Sequence, residues 1–274
     1  MSISRRGTFV GAIAVALALV MAPSLPASAA PGPAVTTQES DCTEAAFDRN
    51  LSAAAVDPLI PDGYELVPAF TPVGAPPRVQ GLINVVTCEQ VVLEGPGGAS
   101  LGRQSSVTYV IYSARLAGGG LYVVSYATDN AVLAARYRQL GWPVDLLGPR
   151  TQAASVSGQD GSQQYAWTLQ GPGWDGRVAA YVPAELNPVE SSGFAAVHKT
   201  PDGTVLYLCY ANSSSATESA VTFDLVDTPV AALAAIPPLI PNPAAPGPSS
   251  FRGTFVVGEW TATLSTEDCP TGPA

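Results

Sequence analysis

The sequence predicts a mainly β chain, an antiparallel barrel or sandwich with two or three short helices, on three observations. Strand-length runs rich in Val, Ile, Thr and aromatic residues recur along the chain, the longest at 82–93. Clusters of Gly, Pro, Asp and Ser separate them, among them Gly95-Pro96-Gly97-Gly98 and the hairpin turn Pro201-Asp202-Gly203. Apolar residues at helical spacing are confined to a few short windows.

Residues 1–29 have the three parts of a cleavable export signal. Arg5 and Arg6 form the positive start, 7–20 the apolar run, and Ala27-Ser28-Ala29 a small-x-small cleavage site. The run's 14 residues fall short of the roughly 20 needed to span a hydrocarbon core. Phe9 stands one place late for a twin-arginine signal, which favours the general secretory route. The mature chain is therefore expected outside the cytoplasm, secreted or in the cell envelope, with no integral membrane segment.

Residues 30–40 read as a flexible Pro/Thr-rich leader, and 41–274 as a single β-rich domain. A helix is expected over 43–56, capped by Ser40 or Asp41, with Ala45, Ala46, Phe47, Leu51, Ala54 and Ala55 at helical spacing and Pro58 ending it. The turn Pro61-Asp62-Gly63 follows, and then strands at 82–93, 106–113 and 121–126. Asp129-Asn130 caps a helix over 131–140; Gly141 offers the left-handed stop and Pro143 keeps the helix from resuming. Further strands are expected at 164–169, 177–182, 193–199, 204–210, 220–226 and 253–264. A short helix near 228–236 and the Pro-rich link 237–248 precede the last of these.

The chain carries 12 basic and 22 acidic side chains, and loss of Arg5 and Arg6 with the signal leaves ten basic, a net charge of −12. Nucleic acid and anionic lipid need clustered Lys and Arg, so neither is expected as a partner. One lysine, Lys199, and one histidine, His198, narrow the available chemistry. The four cysteines are Cys42, Cys88, Cys209 and Cys269. In an exported chain an even number implies disulfides, and Cys42–Cys88 with Cys209–Cys269 is the preferred pairing of three, each joining sequence neighbours. The spacing matches no zinc motif, and neither a metal nor a cofactor is implied.

Gly98-Ala99-Ser100-Leu101-Gly102 spells a hydrolase nucleophile elbow, and Ser100, Asp145 or Asp175, and His198 even follow the right chain order. An elbow needs a strand turning into a helix, whereas a strand follows here. Lys199 beside His198 could form an imine if desolvated. At a strand end beside a turn, it could equally be a solvated edge residue. Tyrosines and tryptophans recur through the strands, as core or as the lining of a cavity. Gln163, Gln164 and Thr168 around Trp167 form a polar-aromatic grouping of the kind that stacks on sugars.

The stretch Tyr126-Ala127-Thr128-Asp129-Asn130, the helix 131–140 with Arg136, and Gly141-Trp142-Pro143 together resemble the central segment of the acetoacetate decarboxylase family. The entry Leu59-Ile60-Pro61-Asp62-Gly63-Tyr64 and the long strand through Cys88 extend the resemblance over roughly 58–147. It implies a mostly antiparallel β structure enclosing a cavity. It also implies a Schiff-base lysine pair after the proline, where this chain has Val144 and Asp145, and a catalytic glutamate near 106–112, where it has no acidic residue. No decarboxylation of acetoacetate is therefore expected. The expected role is non-catalytic binding of a small apolar or carbonyl-bearing molecule, with Tyr109, Tyr126 and Trp142 lining the cavity. A hydrolase or lyase using Ser100 with His198, or Lys199, is the alternative from the enzyme class. An envelope-associated structural module without a ligand is the other.

Overall fold

The computed structural model describes residues 34–67, 74, 76–95, 98–116, 119–148, 152–171, 174–182, 187–189, 194–227 and 250–269. The segments read from sequence as an export signal (1–29), a short helix (228–236) and a Pro-rich link (237–248) lie outside them. In chain order the strands begin with β1 (Val35–Ser52), β2 (Tyr64–Leu66), β3 (Arg78–Leu93), β4 (Ser100–Leu116), β5 (Gly119–Thr128) and β6 (Asp145–Leu146). They continue with β7 (Gln152–Ser157), β8 (Gln163–Gly171), β9 (Trp174–Val182), β10 (Asn187–Val189), β11 (Phe194–Lys199), β12 (Val205–Asp227) and β13 (Ser250–Ser265). Two α-helices are described, the single turn α1 (Ala53–Val56), which runs into a 3-10 turn, and α2 (Ala131–Leu140).

Seven strands close into a barrel in the order β11-β5-β4-β3-β1-β13-β12, with β12 returning to β11. All neighbours are antiparallel except β11 and β5. Closure removes the free edges that an open sheet must protect. The first part of β12, Val205 to Tyr210, pairs with β11; its later part, Ala220 to Asp227, pairs with β9. There β9, β8 and β7 continue the sheet as a wing.

The wing explains the long apolar run in β3. Val79, Ile83 and Val85 pack with Trp167 and Leu169 of β8 and Val178 and Ala180 of β9. The alternate residues of β3, Asn84 and Val86, line the barrel interior instead. A strand buried on both faces loses the usual polar alternation. Trp167 is fully buried, and its indole N–H donates to Thr87 Oγ1 at 3.1 Å. It belongs to the core and does not present the sugar-stacking surface that its neighbours suggested.

Helix α2 closes one end of the barrel. Leu133, Ala134 and Tyr137 pack with Val35, Leu93, Leu206, Leu208 and Leu264. The helix forms as its sequence indicates: Asn130 Oδ1 accepts from the N–H groups of Val132 and Leu133, both at 3.0 Å, a cap of about 1 kcal/mol. Gly141 takes φ +95° and returns its N–H to Arg138 and Tyr137, the left-handed stop.

The N-terminal part differs from the sequence reading. Val35–Ser40, expected in the leader, and most of 43–56, expected as a helix, form one continuous strand, β1. It is sandwiched between β13 and β3 along its length, so pairing on both edges overrides the modest helix propensity of Ala45 and Ala46. Only Ala53–Val56 is helical. The disulfides are those expected, Cys42–Cys88 and Cys209–Cys269. Cys42 and Cys88 stand directly opposite each other on β1 and β3.

Candidate functional site

Strict alternation would send Glu39 and Glu44, five residues apart on β1, to opposite faces. A bulge prevents this. The pairing with β13 slips by one residue between Glu39 and Cys42, and Asp41 adopts φ +51°, a region where aspartate is among the few tolerated non-glycine residues. The pairing of β3 with β4 slips at the same level, between Cys88 and Val91. Both glutamates therefore face the barrel interior.

There they border a cavity of about 20 Å³, room for roughly one water-sized guest. Its wall consists of Glu39 and Glu44, Asn84 and Val86, Ser106 and Thr108, with Tyr126, Tyr210 and Trp260. No Lys, Arg or His stands among these residues. Glu39 accepts from the Thr37 hydroxyl at 2.9 Å. Burial nonetheless pushes its carboxyl up from 4.5 to about 7, because desolvation penalises the charged form more than that one hydrogen bond favours it. Burial also raises the Glu44 carboxyl, opposed by the Asn84 amide N–H donated at 3.0 Å. Tyr126 shares side-chain hydrogen bonds with Ser106 and Tyr210, and burial keeps it protonated far into the alkaline range. Asn84 Oδ1 is buried with no partner.

The sequence-derived candidates fall in different places. Tyr126 lines the cavity. Trp142 does not: it is buried in the plug beneath α2, edge-on to His198 with ring centroids 5.9 Å apart. The backbone of Tyr109 pairs with Ile83 and Ser125, and its side chain lies outside the described residues. Val144 is buried in the same plug, its carbonyl accepting from Arg138 Nε at 2.9 Å and Nη2 at 2.6 Å. Asp145 begins β6 beside Ala127. Ser100 opens β4, exposed, and leads into strand, not the helix an elbow requires. His198 is half-buried on β11, and burial lowers its pKa. Lys199 is exposed, and its backbone N–H donates to the Tyr64 hydroxyl at 2.9 Å. None of Ser100, His198 and Lys199 lines the cavity.

Sequence reasoning missed Glu39 and Glu44 because it placed them in a leader and in a helix. The signal that could have found them was the Cys42–Cys88 pairing. Cys88 sits inside a long β run, so its partner and the residues around it are themselves extended and paired. Glu39 also lies 3.5 Å from Cys88 Sγ, through Oε2. With both sulfurs joined in the disulfide, the grouping of Glu39, Cys42 and Cys88 offers no thiolate to a metal.

Among the described residues no helix is long and apolar enough to cross a membrane, and the two disulfides are compatible with an extracellular protein. No family model matches the chain, and no curated protein matches it. Solved structures do. An acetoacetate decarboxylase from Legionella pneumophila subsp. pneumophila str. Philadelphia 1 is 12% identical, covering 88% of this chain and 90% of its own, with a TM-score of 0.48. The enduracididine biosynthesis enzyme MppR, complexed with pyruvate, is 14% identical over 89% of this chain and 93% of its own, with a TM-score of 0.47. An acetoacetate decarboxylase-like enzyme from Sphingomonas wittichii RW1 is 11% identical over 84% and 91%, with a TM-score of 0.45. These likenesses are distant, and the mainly β barrel described above rests on its own strand pairing.

Proposed function

We propose that this is an exported, non-catalytic binding protein that takes a small hydrogen-bonding molecule into its barrel. The supporting observation is the wall of the cavity: two carboxyl groups, an asparagine oxygen without a partner, several hydroxyls and no amine. Each buried polar group left unpaired costs about 1–3 kcal/mol, so an apolar guest would fit poorly. The ligand class is thereby narrowed from apolar or carbonyl-bearing to polar. Imine chemistry needs an unprotonated amine at the carbonyl, and the chain's single lysine is exposed on β11. Ser100 leads into a strand and not a helix, which disfavours the enzyme alternative on Ser100 and His198.

The mature protein is expected to release carbon dioxide from acetoacetate no faster than buffer, and borohydride is expected to trap no adduct. A reduced adduct at Lys199 would contradict the non-catalytic reading. Binding is tested by ligand-observed NMR with a panel of small polar compounds, repeated on Ser106→Leu, which fills the cavity. At least one compound should bind the wild type and lose binding in the variant; a panel-wide blank would contradict the reading.

A further inference from the structure

We propose that the Cys42–Cys88 disulfide is a reversible redox couple with Glu39 as its internal acid, so that opening the disulfide ionises a side chain on the cavity wall. The inference goes beyond the binding reading above and holds with or without a ligand in the barrel. A carboxylate oxygen of Glu39 and both sulfurs lie within 4.8 Å of one another, and Glu39 Oε2 stands 3.5 Å from Cys88 Sγ. Strand pairing is irregular on both flanks of that contact. The ladder of β1 with β13 slips between Glu39 and Cys42, and that of β3 with β4 slips just past Cys88. In a regular strand Glu39 and Cys42 would point to opposite faces, so the bulge at Asp41 is what aims the carboxyl at the disulfide. The disulfide packs with Trp260 and against Val86 and Tyr210, three residues that also form the cavity wall.

While the disulfide is closed, Cys88 Sγ carries no hydrogen and donates nothing to Glu39. A small dithiol reduces it by two electrons: the S–S bond breaks, each cysteine gains one S–H, and the dithiol closes into its own disulfide. The two protons come from the dithiol, so the exchange balances. Both cysteines are buried, which keeps them as thiols and not thiolates near neutral pH. Cys88 now offers an S–H to the neighbouring carboxyl. A carboxylate accepts it more strongly than a protonated carboxyl does, so reduction lowers the Glu39 pKa and its proton leaves to solvent.

The titratable groups facing Glu39 are Tyr126 from β5, Tyr137 from α2 and Tyr210 from β12, with Cys42 on its own strand and Cys88 on β3. Burial keeps all three tyrosines protonated, so the charge that changes near neutral pH is that of the carboxyl.

Equilibration of the mature protein in a dithiothreitol redox buffer between pH 5 and pH 8 tests the proposal, with alkylation and peptide mass mapping to read the two disulfides separately. Dithiothreitol gives up as many protons as the two cysteines take, so a disulfide without a coupled acid has a pH-independent equilibrium constant in this range. Reduction of Cys42–Cys88 is expected to become roughly tenfold more favourable from pH 5 to pH 8, the result of a fall of about one unit in the Glu39 pKa. Glu39→Gln should abolish that dependence. Cys209–Cys269, which among the described residues has no carboxylate oxygen within 4.8 Å of both sulfurs, should show none. A pH-independent constant in the wild type, or a dependence that survives in Glu39→Gln, would overturn the proposal. Should the variant fail to fold, carboxyl-carbon NMR of the wild type decides: the Glu39 titration must move to lower pH on reduction, and an unmoved one overturns it. A Cys42–Cys88 bond that the buffer cannot open, or whose opening unfolds the protein by circular dichroism, overturns it as well.

Discussion

Trp167→Ala is expected to lower the unfolding free energy by about 3–5 kcal/mol. Trp167 is fully buried where β8 crosses the outer face of the barrel, among Ile83, Val85, Leu169 and Val178. Truncation opens a hole that β-sheet walls on both sides cannot collapse to fill. It also removes the N–H that Thr87 accepts, although Thr87 keeps its 2.8 Å hydrogen bond to Ser105. Urea denaturation at fixed pH measures the loss. A change below about 1 kcal/mol would mean that the wing does not pack on the barrel as described.

Stability is expected to fall as pH rises from about 4.5 to about 7 and then to level off, because of Glu39. The sign follows from the direction of the shift. The folded protein holds the Glu39 proton up to about 7, whereas an unfolded chain releases it near 4.5. Between those values the native state binds more protons, so raising the pH favours unfolding. The gap amounts to about 3 kcal/mol at most. Glu44, whose carboxyl burial also raises, adds to the same trend. Glu39→Gln keeps the shape and the hydrogen bond from Thr37 but carries no charge. Near pH 8 the variant should be about 1–3 kcal/mol more stable than the wild type, and its stability should vary less between pH 5 and 8. Denaturant titrations of both proteins at the two pH values provide the comparison. Equal slopes with pH would rule out a desolvated Glu39.

Why the strands, α2 and the disulfides were legible from sequence, and β1 was not, has a physical explanation. Helix α2 carries its own start and stop, Asn130 and Gly141, so local chemistry defines it without reference to the rest of the chain. Strand β3 declares itself through β-branched residues because both its faces are buried. Strand β1 has no such signature. Its alanines satisfy a helical pattern, and only long-range pairing with β3 and β13 makes it a strand. The site inherits this difficulty. Tyr126 lies on a strand that could be recognised, whereas Glu39 and Glu44 depend on a bulge at Asp41 that no periodicity reveals. For Trp142, sequence adjacency to the replaced lysine positions says nothing about which way a loop residue turns. It turns into the apolar plug.

The central claim, that the barrel holds an acid poised near neutrality and no amine, is tested most directly by carboxyl-carbon NMR titration of the wild type beside Glu39→Gln. One glutamate signal should titrate at about 7 and vanish in the variant. Carboxyl signals that all titrate in the ordinary range, below about 5, would contradict it.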